Sequence, residues 1–152
     1  MVTIRIFALV TCTLGSAVAF AGPHGNPMCP QLAAFAASAT ESDVQTVRLM
    51  TDWNADQTRA CQRGNGSSGV RLCNWLLDHA SAEVMAANIV QALECAGMWR
   101  PKRGSDQHVD RIAGLVRAHP FAESKDVELI LEFDSSPKDI LPWLSISVKR
   151  WK

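Results

Sequence analysis

Apolar residues recur at helical spacing along most of the chain. Because proline is favoured in the first turn of a helix, a short helix is predicted from Pro30 to about Ser38. A second helix is predicted from the capping-box-like sequence at 40–43 to about Cys61. The apolar stripe of this second helix comprises Val44, Val47, Met50 and Trp53. Three further helices are predicted within the ranges 70–77, 81–96 and 109–116.

The last segment, 125–151, has two competing patterns. Its first half alternates apolar and polar side chains, as a half-buried strand does, but its charged residues also gather on one side of a helix. From Ile140 onward, apolar residues recur at i, i+1, i+4, i+8 and i+11, which favours an amphipathic helix. We therefore predict an all-α domain, a small bundle of about six helices. The alternative is an α+β fold with a C-terminal β-hairpin.

The first 21 residues have the organisation of a secretory signal peptide. Arg5 provides the positive charge, an apolar stretch runs from Ile6 to Phe20, and Ala19 and Ala21 form the small-x-small cleavage pattern. The apolar stretch is shorter than the roughly 20 residues that a spanning helix needs. We predict cleavage after Ala21, a single domain over residues 22–152, a periplasmic location and no membrane attachment after cleavage.

Composition narrows the possible functions. The chain carries 15 basic and 15 acidic residues, and this balance argues against a nucleic-acid partner. It contains no Gly-x-Ser-x-Gly elbow, no His-Glu-x-x-His sequence and no phosphate-binding glycine loop. We therefore predict no catalytic residue, no cofactor and no metal site.

Four cysteines remain after the predicted cleavage, which removes Cys12. An even number in an exported protein indicates two disulfides, for which three connectivities are possible. If the second and third helices packed antiparallel about Gly66, Cys61 would lie close to Cys73. Cys29 would then pair with Cys95, and this is the pairing we expect.

A Gly/Ser-rich segment, Gly64 to Gly69, lies between two of these cysteines. Its simplest interpretation is a flexible connection between two helices. The functional interpretation is a surface loop whose small side chains let its backbone enter a narrow cleft of a protein partner. The predicted partner-binding residues are Arg63, Gly64, Asn65, Gly66, Ser67, Ser68, Gly69 and Arg71.

Two segments, 71–76 and 81–88, with Cys95 closing the helix predicted within 81–96, resemble the periplasmic immunity proteins of type VI secretion amidase effectors. The resemblance covers about half of the mature chain. It implies a protein that binds a peptidoglycan-cleaving amidase and blocks its active site, sometimes through an inserted loop, with a homodimer possible. We accordingly predict an inhibitor and not an enzyme. The alternatives are a periplasmic chaperone or accessory binding protein, and a small secreted enzyme.

The signal peptide gives the first testable prediction. The exported protein should begin at Gly22, because signal peptidase cuts after the small residue that ends the cleavage pattern. The measurement is the intact mass of protein recovered from the periplasm. A mass that includes residues 1–21, or one that shows a lipid on Cys12, would contradict the prediction.

Overall fold

The fold is α+β, and the predicted all-α bundle of about six helices is wrong. The computed structural model describes residues 25–41, 43–52, 58–64, 66–98, 112–121, 125–136, 138 and 140–151. In these ranges the helices are α1 (Met28–Ala37), α2 (Ser67–His79) and α3 (Met85–Cys95). The strands are β1 (Gln45–Asp52), β2 (Thr58–Arg63), β3 (Ala113–Ala118), β4 (Val127–Asp134) and β5 (Trp143–Arg150). They form one antiparallel sheet in the order β2-β1-β5-β4-β3.

The C-terminal segment forms strands and not the two helices that were favoured. β4 and β5 pair antiparallel from Val127 opposite Arg150 to Asp134 opposite Trp143, as the hairpin alternative required. The alternation of apolar and polar side chains along β4 was the correct indication of a strand, because every second side chain faces the core. Pro142 immediately precedes β5, where it cannot interrupt a ladder of hydrogen bonds.

The predicted helix from 40 to about 61 is also wrong, because most of its described residues lie in β1 and β2 and none is helical. Val47 and Leu49 are fully buried, whereas Val44 is exposed and Met50 lies on the opposite face of the sheet. The apparent helical stripe was therefore a coincidence of spacing. The helix predicted within 109–116 is wrong as well, because its residues 113–116 belong to β3.

Three of the predicted helices are present, and they cover one face of the sheet. Gly97 follows α3 with a φ of 71°, the left-handed conformation that commonly ends a helix. The largest fully buried side chains between the helices and the sheet are Met28, Leu32, Phe35, Val47, Leu49, Leu72, Leu76, Ile89, Leu129, Leu131, Leu144 and Ile146. On the opposite face, the Arg48 guanidinium carbon lies 4.2 Å from the ring centroid of Trp143.

Both expected disulfides are present. Cys29 in α1 is bonded to Cys95 at the end of α3, and Cys61 in β2 is bonded to Cys73 in α2. The second bridge joins a strand to a helix across a short turn. The prediction had placed Cys61 and Cys73 on two antiparallel helices. Two disulfides fit a protein of an oxidising compartment.

The predicted signal peptide, residues 1–21, lies outside the described residues. Among the helices that the structure describes, none is long and apolar enough to cross a membrane.

The two bridges should contribute unequally to stability. Cys29 and Cys95 are 66 residues apart, and Cys61 and Cys73 are 12 apart. In the chain-entropy description, closing the longer loop stabilises the fold by about 4 kcal/mol and the shorter by about 3 kcal/mol. We expect Cys29→Ala/Cys95→Ala to lower the free energy of unfolding more than Cys61→Ala/Cys73→Ala. Urea denaturation of the two double variants tests this, and the reverse order would contradict it.

Candidate binding surface

The Gly/Ser-rich segment joins β2 to α2 as a short turn. The Gly64 N–H donates to the Thr46 carbonyl at 3.2 Å, so this residue still continues the ladder between β1 and β2. Gly66 is the N-cap of α2 with an extended φ of 172°, and Ser67 begins the helix. Asn65 lies outside the described residues. The segment is therefore a strand-to-helix turn and not a connection between two helices.

Ser68 and Gly69 lie inside the protein as part of the first turn of α2. Ser68 is 6% exposed, and its hydroxyl donates to Gln45 Oε1 at 2.8 Å. A Cβ added at Gly69 would lie 3.6 Å from Val47 Cγ2, because this turn packs directly on β1. Of the segment's described residues, the exposed ones are Gly64, Gly66 and Ser67.

The two predicted arginine contacts flank the start of α2. Arg63 ends β2 and is exposed, with its Cβ 3.7 Å from a Cβ built on Gly69. Arg71 is exposed one turn into α2 and lies beside Gln31 and Ala34 of α1. The structure thus places the arginines on either side of the helix start, near but outside the turn.

Gln45 connects the three elements that meet here, and sequence reasoning missed it. Its Oε1 accepts a hydrogen bond from the Ser68 hydroxyl at 2.8 Å, and the Ser38 hydroxyl, which donates to the Phe35 carbonyl at 2.6 Å, lies 3.3 Å away. Its Nε2 donates to the Ser38 carbonyl at 2.9 Å. One amide therefore joins the end of α1, the start of β1 and the first turn of α2. No local pattern could identify it, because its role depends on residues 7 and 23 positions away.

A cavity of about 290 Å³ opens between these elements. Glycines line part of its wall, so backbone atoms are directly accessible there. Binding sites for drug-sized molecules occupy about 300–1,000 Å³, so this cavity is at or below the lower limit of that class. Its lining residues are Phe35, Asp43, Val44, Gln45, Thr46, Gly64, Gly66 and Gly69.

The described histidines are engaged with backbone carbonyls. His79 Nδ1 donates to the Trp75 carbonyl at 2.9 Å, and the two rings stack with centroids 4.7 Å apart. His119 Nδ1 donates to the Val127 carbonyl at 3.2 Å. His24 and His108 lie outside the described residues. Within the described ranges, no three His, Cys, Asp or Glu side chains are grouped so that they could hold a metal ion.

Comparisons with protein-family models, with curated proteins and with solved structures found no match to this chain.

The burial of Ser68 gives a stability prediction for the turn. Ser67→Trp should change the free energy of unfolding by about 0.5 kcal/mol or less, because Ser67 is exposed. Ser68→Trp should destabilise the fold by on the order of 3 kcal/mol, because the ring must displace the contact with Gln45 and overpack the helix start. Thermal unfolding of the two single variants measures the difference. Equal stability of the two variants would show that Ser68 is not held inside.

Proposed function

We propose that the mature chain is an exported accessory binding protein that takes a side chain or short loop of a protein partner into the cavity beside the Gly64–Ser67 turn. The observation that carries the proposal is the cavity itself, which is small, open and partly walled by glycine backbone. Its volume suits one or two amino-acid side chains better than a cofactor or an extended metabolite. A protein partner is therefore the occupant that the size favours.

The described elements around the cavity are linked to one another within the chain. Gln45 joins three elements through hydrogen bonds, and the Cys61–Cys73 bridge ties the strand before the turn to the helix after it. These links restrain the elements on both sides of the turn, and such restraint lowers the ordering cost of binding. Restraint of the flanking elements supports recognition of one specific shape.

Inhibition of a peptidoglycan amidase is the more specific second candidate. The observation in its favour is that Gly64, Gly66 and Ser67 are small and exposed at or beside the mouth of the cavity. Without large side chains, the backbone of such a turn can approach the floor of a narrow enzyme cleft. The buried Ser68 and Gly69 make the accessible part shorter than a six-residue loop. The accessory-binding proposal, which needs no deep insertion, therefore stands first.

The matched variants Gly64→Trp and Asn74→Trp test the site. Gly64 is exposed, and a Cβ added there meets no atom within 4 Å, so the indole should obstruct the cavity without disturbing the fold. Asn74 is exposed on α2 and does not line the cavity, so it provides the control for an added surface tryptophan. We expect Gly64→Trp to weaken binding at least tenfold and Asn74→Trp to leave it unchanged.

The measurement begins with capture from a periplasmic extract of the organism that encodes the protein, using the parent and both variants. Purified captured protein is then titrated against each variant by calorimetry. If no captured protein distinguishes Gly64→Trp from the parent, the cavity is not the binding site. If the captured protein is a peptidoglycan amidase that loses activity in the complex, the second candidate replaces the first.

A further inference from the structure

β3 is the last strand of the sheet, and no strand in the described part of the chain pairs with its outer edge. The register identifies which of its backbone groups face outward. The Ser135 N–H donates to the Ile112 carbonyl at 2.9 Å, so residues 112 and 135 form a hydrogen-bonded pair. Such pairs alternate along an antiparallel ladder, so Gly114, Val116 and Ala118 direct their N–H and C=O groups towards β4. The backbone groups of the residues between them therefore point away from the sheet. These outward-facing residues are Ala113, Leu115 and Arg117.

The side chains on this edge leave it open to another strand. Leu115 is 53% exposed, although large apolar side chains are usually avoided on a free edge. Arg117 is the one charged residue of β3, and its Nη1 lies 3.3 Å from Glu128 Oε2. The Arg117 guanidinium is therefore directed towards β4 and does not place a free charge along the edge.

The opposite edge of the sheet, formed by β2, differs from the β3 edge in its side chains. The bond from the Gly64 N–H to the Thr46 carbonyl sets the register there, so Arg59, Cys61 and Arg63 have the outward-facing backbone groups of β2. Two of their side chains are tied to the helix layer, because Cys61 is bridged to Cys73 in α2 and Arg59 Nη1 donates to the Ala80 carbonyl at 2.7 Å. Arg63 is exposed and carries a positive charge. Charged side chains of this kind discourage the approach of another strand.

We propose that the β3 edge pairs antiparallel with the β3 edge of a second copy of this chain, which joins the two sheets into one continuous sheet. The outward-facing residues are symmetric about Leu115, with one on each side at a spacing of two. A two-fold axis through this point places Leu115 opposite the partner's Leu115 and covers both exposed side chains. It also places Arg117 opposite the partner's Ala113, so like charges do not meet and the small methyl leaves room for the longer side chain.

The backbone supports the same arrangement. Pairing at three outward-facing residues from each copy forms about six hydrogen bonds, because each antiparallel hydrogen-bonded pair exchanges two. Self-complementarity is the requirement for an interface between identical copies, and the described residues of this edge satisfy it. The interface is short, so the dimer should be weak and dependent on concentration.

Sedimentation velocity of the mature chain, from about 10 µM to about 1 mM, tests the proposal because a short interface dissociates in the dilute range. The parent should change from monomer to dimer with concentration. Leu115→Pro removes the outward N–H at the centre of the interface and leaves the bonds to β4 intact, so this variant should remain monomeric. Leu115→Lys places two positive charges opposite each other and should raise the dissociation constant at least tenfold.

Ile140→Lys is the matched control, because Ile140 is 59% exposed and lies outside β3. It should dimerise as the parent does, and circular dichroism verifies the fold of each variant. A monomeric parent at the highest concentration, or a dimer that persists in both Leu115 variants, would overturn the proposal. Gly64→Trp should leave the dimer unchanged, so a failure here is distinguishable from a failure of the proposed cavity function.

Discussion

The structure depends on one constraint, which is that one face of the five-stranded sheet must be covered. Three short helices cover it, and the side chains fully buried between the two layers include Leu49, Leu131 and Ile146. This constraint requires apolar and polar side chains to alternate along the strands, since every second side chain has to face the helices. It also explains the positions of the disulfides. Each bridge holds a helix of this layer, one to a neighbouring helix and the other to the sheet.

Local pattern was sufficient for the helices and insufficient for most strands. The amphipathic stripes and the terminal Gly97 identified α1, α2 and α3 because the interactions that define a helix lie within about four residues along the chain. β1 pairs with β5, and its Leu49 lies opposite Leu144, 95 positions away in sequence. A pairing at that distance leaves no local signal. Val44, Val47 and Met50 could therefore imitate a helical face, although the structure places only Val47 in the core.

Composition singled out the Gly/Ser-rich segment but did not predict its structure. Glycine enrichment predicted a connection between two helices, whereas the segment is a strand-to-helix turn in which Gly64 and Gly66 line the cavity. The same enrichment suggested that Ser68 belongs to the exposed part, whereas its hydroxyl is held by Gln45 inside the protein. Whether a serine is exposed depends on what packs over it, and here that is decided by β1. Gln45 itself is an ordinary polar residue in the sequence, and it acquires its role only when α1, β1 and α2 meet.

The strand order places the proposed cavity site and the proposed β3 interface in different parts of the sheet. The cavity lies beside β1 and the turn that follows β2, whereas β3 is the far edge of the sheet. Three strand spacings of about 4.8 Å separate β1 from β3, so pairing at the β3 edge leaves the cavity uncovered. A two-fold dimer would therefore carry two identical open cavities, one on each outer side of a continuous sheet. Such an arrangement can engage two copies of a partner, and against a partner that is itself repeated, the second contact forms at a high effective concentration. A weak contact at each small cavity would then be sufficient for a stable complex.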